Sequence, residues 1–134
     1  MDKKKILIVD DEADLVKMMK IRLEVSNYEV ITASDGEEGI KQAEAGNPDV
    51  ILLDIMMPKK DGYTLLRELK NKETTKSIPV IVITGKPGMK DLFEIEGVKD
   101  YIIKPFEKED LLSRINITLL QSEIRQVLEK VNPL

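Results

Sequence analysis

Four short apolar runs in this chain stop abruptly at polar residues equipped for chemistry, and that pattern restricts the fold more than any other feature. Ile6-Leu7-Ile8-Val9 runs into Asp10-Asp11-Glu12, and Val50-Ile51-Leu52-Leu53 runs into Asp54. Val80-Ile81-Val82-Ile83 ends on Thr84, and Tyr101-Ile102-Ile103 on Lys104-Pro105. Continuous aliphatic runs of this length suit strands covered on both faces, the situation of a parallel sheet. Strands are therefore expected at 5–9, 29–33, 50–53, 80–84 and 101–103.

Stretches of helical period lie between the runs. Residues 14–25 carry apolar side chains at 15, 18, 19 and 23, and 36–45 and 62–70 follow with similar spacing. Asn27, Asp35-Gly36, Gly46-Asn47-Pro48, Pro58 and Asp61-Gly62 punctuate the runs. Parallel neighbours need crossover connections, so the alternation predicts an α/β fold, a doubly wound sandwich. In such a fold the polar run-ends gather at the C-terminal edge of the strands, where open sheets build their sites.

Two segments depart from the regular pattern. Gly85, Pro87, Gly88 and Gly97 leave only 89–96 to form a fourth helix, which is expected to be short. From Glu107 to about Lys130 nothing breaks a helix, giving a last helix of roughly 36 Å, longer than one face of a small sandwich requires. Leu111, Leu112, Ile115 and Leu119 suit the core. Ile117, Leu120, Ile124, Val127 and Val131 recur at threes and fours on another face. That second stripe joins two copies of the chain in a homodimer, folds back on its own domain, or is a fraying tail. Residues 1–120 are read as the domain, and 121–134 as an extension of the last helix serving as linker or dimerisation element.

Composition removes many functions. At 134 residues the chain has room for one core. With 21 basic and 25 acidic residues the net charge is −4, the wrong sign for binding nucleic acid through bulk charge, and without Trp a base-stacking surface is not expected. Cysteine and histidine are both absent, which removes disulfides, thiolate and imidazole catalysis and His/Cys zinc sites. Any metal must be hard and oxygen-bound, Mg²⁺ or Mn²⁺. Lys3-Lys4-Lys5 precedes only four apolar residues, too few for a signal peptide or a membrane anchor, and a cytoplasmic location is expected.

Clustered carboxylates repel one another, and a divalent cation relieves that repulsion. Asp11 and Asp54 are expected to ligate Mg²⁺ directly and Asp10 through water, with the Met56 carbonyl as a further ligand. A carboxylate beside Mg²⁺ can attack phosphorus, which makes Asp54 the candidate acceptor of a phosphoryl group. Lys104 would pair a phosphoryl oxygen as a point charge, and the Thr84 hydroxyl would donate to the same group. Taken singly, these residues have plainer explanations: acids at a helix start cap it, and Thr84 and Tyr101 suit a strand.

Together the motifs resemble the receiver domains of two-component response regulators. The matching pieces are Val9-Asp10-Asp11-Glu12, Pro48 to Asp54, Met57-Pro58 with Asp61-Gly62, Thr84, and Tyr101 to Phe106. The resemblance implies a flavodoxin-like sheet of five strands in the order 2-1-3-4-5. It implies Asp54 as phosphoacceptor, Asp10 and Asp11 as the acidic metal pair, Lys104 as the phosphate-contacting lysine, Thr84 and Tyr101 as the switch pair, and a cis Lys104-Pro105 peptide. It also implies a sensor histidine kinase or phosphotransfer protein as donor and a downstream protein target, in a phosphoacceptor switch rather than a metabolic enzyme. The alternative is a degenerate receiver that binds proteins without being phosphorylated. A phosphatase of the haloacid-dehalogenase type is disfavoured, because Met56 stands where its second aspartate would be.

The chain departs from the family pattern after Thr84. Gly85 replaces the usual alanine, and the segment to Gly97 is shorter than usual, so remodelling is expected on the face of the fourth helix. Met56 and Lys86 occupy positions that in the family tune dephosphorylation.

Overall fold

Alternation of side chains along each strand sorts the core into two layers. In the computed structural model, which describes residues 3–57, 62–85 and 97–131, the strands are β1 (Lys5–Val9), β2 (Glu29–Ala33), β3 (Val50–Asp54), β4 (Val80–Thr84) and β5 (Asp100–Ile103). They form one five-stranded sheet in the order β2-β1-β3-β4-β5, every pair parallel. The helices among the described residues are α1 (Ala13–Val25), α2 (Gly36–Gly46), α3 (Gly62–Asn71) and α4 (Lys108–Val131).

Leu7, Val9, Ile51, Leu53, Val80 and Val82 point to one face and pack against Ile40 and Ala43 of α2 and Leu65, Leu66 and Leu69 of α3. Their neighbours Ile6, Ile8, Val50, Leu52, Ile81 and Ile83 point to the other face, against Met19 and Leu23 of α1 and Leu111, Ile115 and Leu119 of α4. The strand residues of β1, β3 and β4 apart from Lys5 are thus buried, as their unalternating apolar runs require. Each fully covered aliphatic side chain contributes about 1.5–3 kcal/mol relative to exposure.

The strand boundaries follow the sequence reading to within a residue, with Asp54 itself closing β3 and Asp100 opening β5. On α1 the inner face holds Met19 and Leu23 with Leu15 and Val16 packed beside them, while Met18 is exposed. At 100° per residue, 15, 16, 19 and 23 fall within one quadrant-wide stripe, whereas 18 lies outside it.

Local chemistry sets the helix ends. The Asp35 carboxylate accepts the Glu38 N–H at 2.9 Å and caps α2, which ends on Asn47 in the left-handed region at φ 47°. Asn27, with φ 73°, makes the turn from α1 to β2. The short helix expected at 89–96, along with Lys86, Pro58 and Asp61, lies outside the described residues.

Candidate functional site

The order of strands reverses between β1 and β3, because the chain passes from β2 across β1 to β3, and a crevice opens at their C-terminal ends. Asp10 follows β1 directly, its N–H held by the Ala33 carbonyl at 3.1 Å, and Asp54 is the last residue of β3. Both are almost wholly buried.

The two carboxylates are oriented by the same local device. Asp10 Oδ1 accepts the N–H of Glu12 at 2.9 Å, and Asp54 Oδ1 accepts the N–H of Met56 at 3.0 Å. Each side chain thereby closes a turn on the residue two positions ahead, which leaves its second oxygen facing the crevice. Lys104, one residue beyond β5, reaches in with Nζ 3.1 Å from Asp10 Oδ2, 3.2 Å from Glu12 Oε1 and 3.5 Å from Asp54 Oδ2. The backbone N–H of Lys104 donates to the Thr84 carbonyl at 2.8 Å, and the Lys104-Pro105 peptide is cis.

Burial raises Asp54 to about 6; Asp10 adds to the rise, while the Met56 amide and Lys104 oppose it. Burial works against the Lys104 ammonium, but Asp10 and Asp54 and the hydrogen bonds to Asp10 and Glu12 outweigh it and raise its pKa. One ammonium therefore serves three carboxylates, and the crevice remains short of positive charge.

Carboxylate oxygens of Asp10, Glu12 and Asp54 lie within 4.8 Å of one another. Hard oxygen donors at this spacing, two of them buried, fit a small divalent cation, which would supply the missing charge. The structure brings Asp10, Asp54 and Lys104 together. Asp11 and Glu12 are both exposed, and of the two it is the Glu12 carboxylate that lies within 4.8 Å of those of Asp10 and Asp54. Glu12 was legible only as an acid at a helix start; its spacing of two from Asp10 is the signal that could have placed it on the same side of the turn. The Met56 side chain is exposed while its N–H is committed to Asp54.

Thr84 is fully buried at the end of β4, one residue beyond the Ile83 that is paired with Asp54. Tyr101 is paired with Val82, so alternation puts it on the same side of the sheet as Thr84; it is half-buried against the α2/α3 layer. A methyl group added at Gly85 would meet no atom within 4 Å among the described residues.

Comparison with known proteins agrees with this geometry. The chain is 42% identical over 123 residues to the alkaline phosphatase synthesis transcriptional regulatory protein PhoP of Bacillus subtilis, a match covering 90% of the chain and 50% of that protein. It is 38% identical over 128 residues to the response regulator PleD of Caulobacter vibrioides, covering 91% of the chain and 28% of that protein. The chain thus spans about half the length, or less, of these curated relatives. Among solved structures, a CheY-like response regulator receiver domain protein from Methanospirillum hungatei superposes with a TM-score of 0.86 at 31% identity, covering 92% of this chain and 99% of that one. A receiver domain from Clostridium thermocellum gives 0.81 at 34% identity, covering 90% and 98%. The response regulator receiver domain model matches residues 6–116, and with the crevice described above it places this chain in that family of two-component signalling domains.

Proposed function

We propose that Asp54 accepts a phosphoryl group from a histidine kinase or phosphotransfer protein in a reaction that depends on Mg²⁺ or Mn²⁺, and that the change alters the surface offered to a protein target. The observation that carries this reading is Asp54 itself, buried at the switch point with one oxygen tied to the Met56 amide and the other facing Lys104. Asp54 Oδ2 would form the new bond to phosphorus as the donor's N–P bond breaks. Lys104 is placed to move from the carboxylates to a phosphoryl oxygen. Asp10, Asp54 and Glu12 or Asp11, with the Met56 carbonyl, would hold the cation, which when bound neutralises charge on the transferring oxygens. Thr84 and Tyr101 form the switch pair on this reading, because they share one side of neighbouring strands near the acceptor.

Intact mass after incubation with Mg²⁺ and acetyl phosphate tests the chemistry. One phosphoryl adduct is expected, absent in Asp54→Asn and absent with EDTA. A folded protein that gains no adduct would overturn the proposal in favour of a receiver that signals by binding alone.

The exposed stripe of α4 supports a homodimer. Ile117, Leu120, Ile124, Val127 and Val131 are each 50–78% exposed, so the stripe does not fold back on its own domain. Residues 1–120 act as the receiver and 121–134 as its dimerising extension. The roles that relatives' names give them in transcription belong to those longer proteins; at net charge −4 this segment is not proposed to contact nucleic acid. A cytoplasmic location follows from a kinase partner, and no described helix is long and apolar enough to cross a membrane.

A further inference from the structure

Beside the N-terminal ends of β4 and β5, away from the acidic crevice, charge of the other sign is concentrated. The inner face of α4 is apolar at Leu111, Ile115 and Leu119, but the next turns of the same face hold Ser122, Arg125, Gln126 and Glu129. A helix whose inner face turns polar does not close against the layer beneath it. A cavity of about 590 Å³ remains between it and the segments leading into β4 and β5.

Four cations from four separate segments line that cavity: Lys70 at the end of α3, Lys76 in the following turn, Lys99 just before β5, and Arg125 on α4. Ser77 and Ser122 add hydroxyls, and Glu129 is the one acid in the lining. Lys76 pairs with Glu73 at 2.9 Å. Among the described residues no carboxylate forms an ion pair with Lys70, Lys99 or Arg125. The half-buried Lys70 ammonium donates only to the Ile78 carbonyl, at 3.4 Å, and its pKa is lowered by burial and then by Lys99 and Arg125. Among the described residues the lining thus holds four cations against one acid, in a chain of net charge −4.

We propose that this cavity is a binding site for a small anion carrying two or more phosphoryl groups. Ammonium point charges around a planar guanidinium fork, with hydroxyl donors beside them, are the donor set suited to tetrahedral oxyanions. Several hundred Å³ takes a nucleotide-sized ligand, more than a single phosphate fills. An adjoining cleft of about 240 Å³ shares Ser77, Ser122 and Gln126; Pro48, Pro79 and Leu119 give it an apolar wall for a ring system, and Asp49 and Glu123 in its lining keep the phosphate chain in the cationic cavity. The site lies a full strand length, roughly 16 Å, from the acidic crevice and is independent of phosphorylation at Asp54.

Sodium tripolyphosphate and, separately, ATP are titrated into the full chain carrying Asp54→Asn in EDTA, which removes the acidic crevice from the readout. Calorimetry and amide chemical shifts are compared with additions of NaCl at matched ionic strength. Saturable 1:1 binding is expected, with shifts at Gly97, Lys99, Ser122 and Arg125, weakened at least about tenfold in a Lys99→Glu/Arg125→Glu variant whose melting is otherwise unchanged. Equal affinity for the two ligands supports recognition of the phosphate chain, and tighter binding of ATP supports use of the adjoining cleft as well. A response no different from NaCl, or binding undiminished by the charge reversal, overturns the site.

Discussion

Asp54 is held in a state that favours its own neutralisation, and the consequence is measurable without any partner. Its pKa is about 6 in the folded chain against an ordinary 3.8, chiefly through burial. A raised carboxyl pKa means that the folded state binds the proton more tightly than the unfolded state does. Stability from this group is therefore fully present below pH 3.8 and is lost as pH rises through about 6. Once Asp54 is ionised the loss is about 2 kcal/mol, allowing for water at the open edge. Asp54→Asn should accordingly gain about 2 kcal/mol at pH 7.5 in EDTA, a rise in Tm of about 4–8 °C, and the gain should fade toward pH 4. Urea unfolding of both proteins across that range checks it; a gain independent of pH would show that ionisation is not its source. Asp54 was legible because it ends an apolar run. Glu12, itself exposed, was not, because its approach to Lys104 at 3.2 Å follows the turn that the Asp10 side chain closes on the Glu12 amide.

At the scale of elements, the junction of β3 with α3 makes the strongest demand. A Cβ on Gly62 would stand 2.5 Å from Ile55 Cα and 2.6 Å from the Asp54 carbonyl oxygen, both backbone atoms that cannot give way. The start of α3 therefore lies flush against the strand end that carries Asp54, and the Gly62 N–H donates to the Ile55 carbonyl at 3.2 Å. Gly62→Ala would gain up to about 1 kcal/mol of helix propensity but must push α3 off the strand, an overpacking cost of about 1–3 kcal/mol or more. A net loss of stability is expected in urea unfolding, with weaker phosphoryl uptake. Greater stability than the parent would mean that the contact relaxes freely. The sequence marked Gly62 as a turn and helix-start residue, which is a local property. That it also admits a close approach is a tertiary one, invisible in spacing.

For the whole molecule, α4 has two apolar faces, one packed on the core and one exposed. Counted at 100° per residue, the stripe Ile117, Leu120, Ile124, Val127 and Val131 points roughly 160° away from Leu111, Ile115 and Leu119. The 3-4-3-4 spacing makes Ile117, Ile124 and Val131 one heptad position and Leu120 and Val127 the other, and β-branched residues at the first favour two parallel strands. Sedimentation of the full chain should show a concentration-dependent dimer that Ile124→Glu abolishes without changing the melting of the receiver core. A monomer at about 100 µM would rule out pairing along this stripe. The cationic cavity stays open in such a dimer, because Ser122, Arg125 and Glu129 share the core side of the helix and not the seam.

By itself the sequence determined the strands, the described helices and their order, because unbroken apolar runs, the 3.6-residue period and turn residues such as Asn27, Asp35 and Asn47 act over a few neighbouring residues. It also marked the polar ends of the strands as the place where chemistry belongs. Only the tertiary structure brought Glu12 to Lys104 beside Asp10 and Asp54, and gathered Lys70, Lys76, Lys99 and Arg125 on one cavity. Those juxtapositions join residues up to 94 positions apart, and their distances are set by strand register and by which side of a turn each side chain takes, neither of which is written in local spacing.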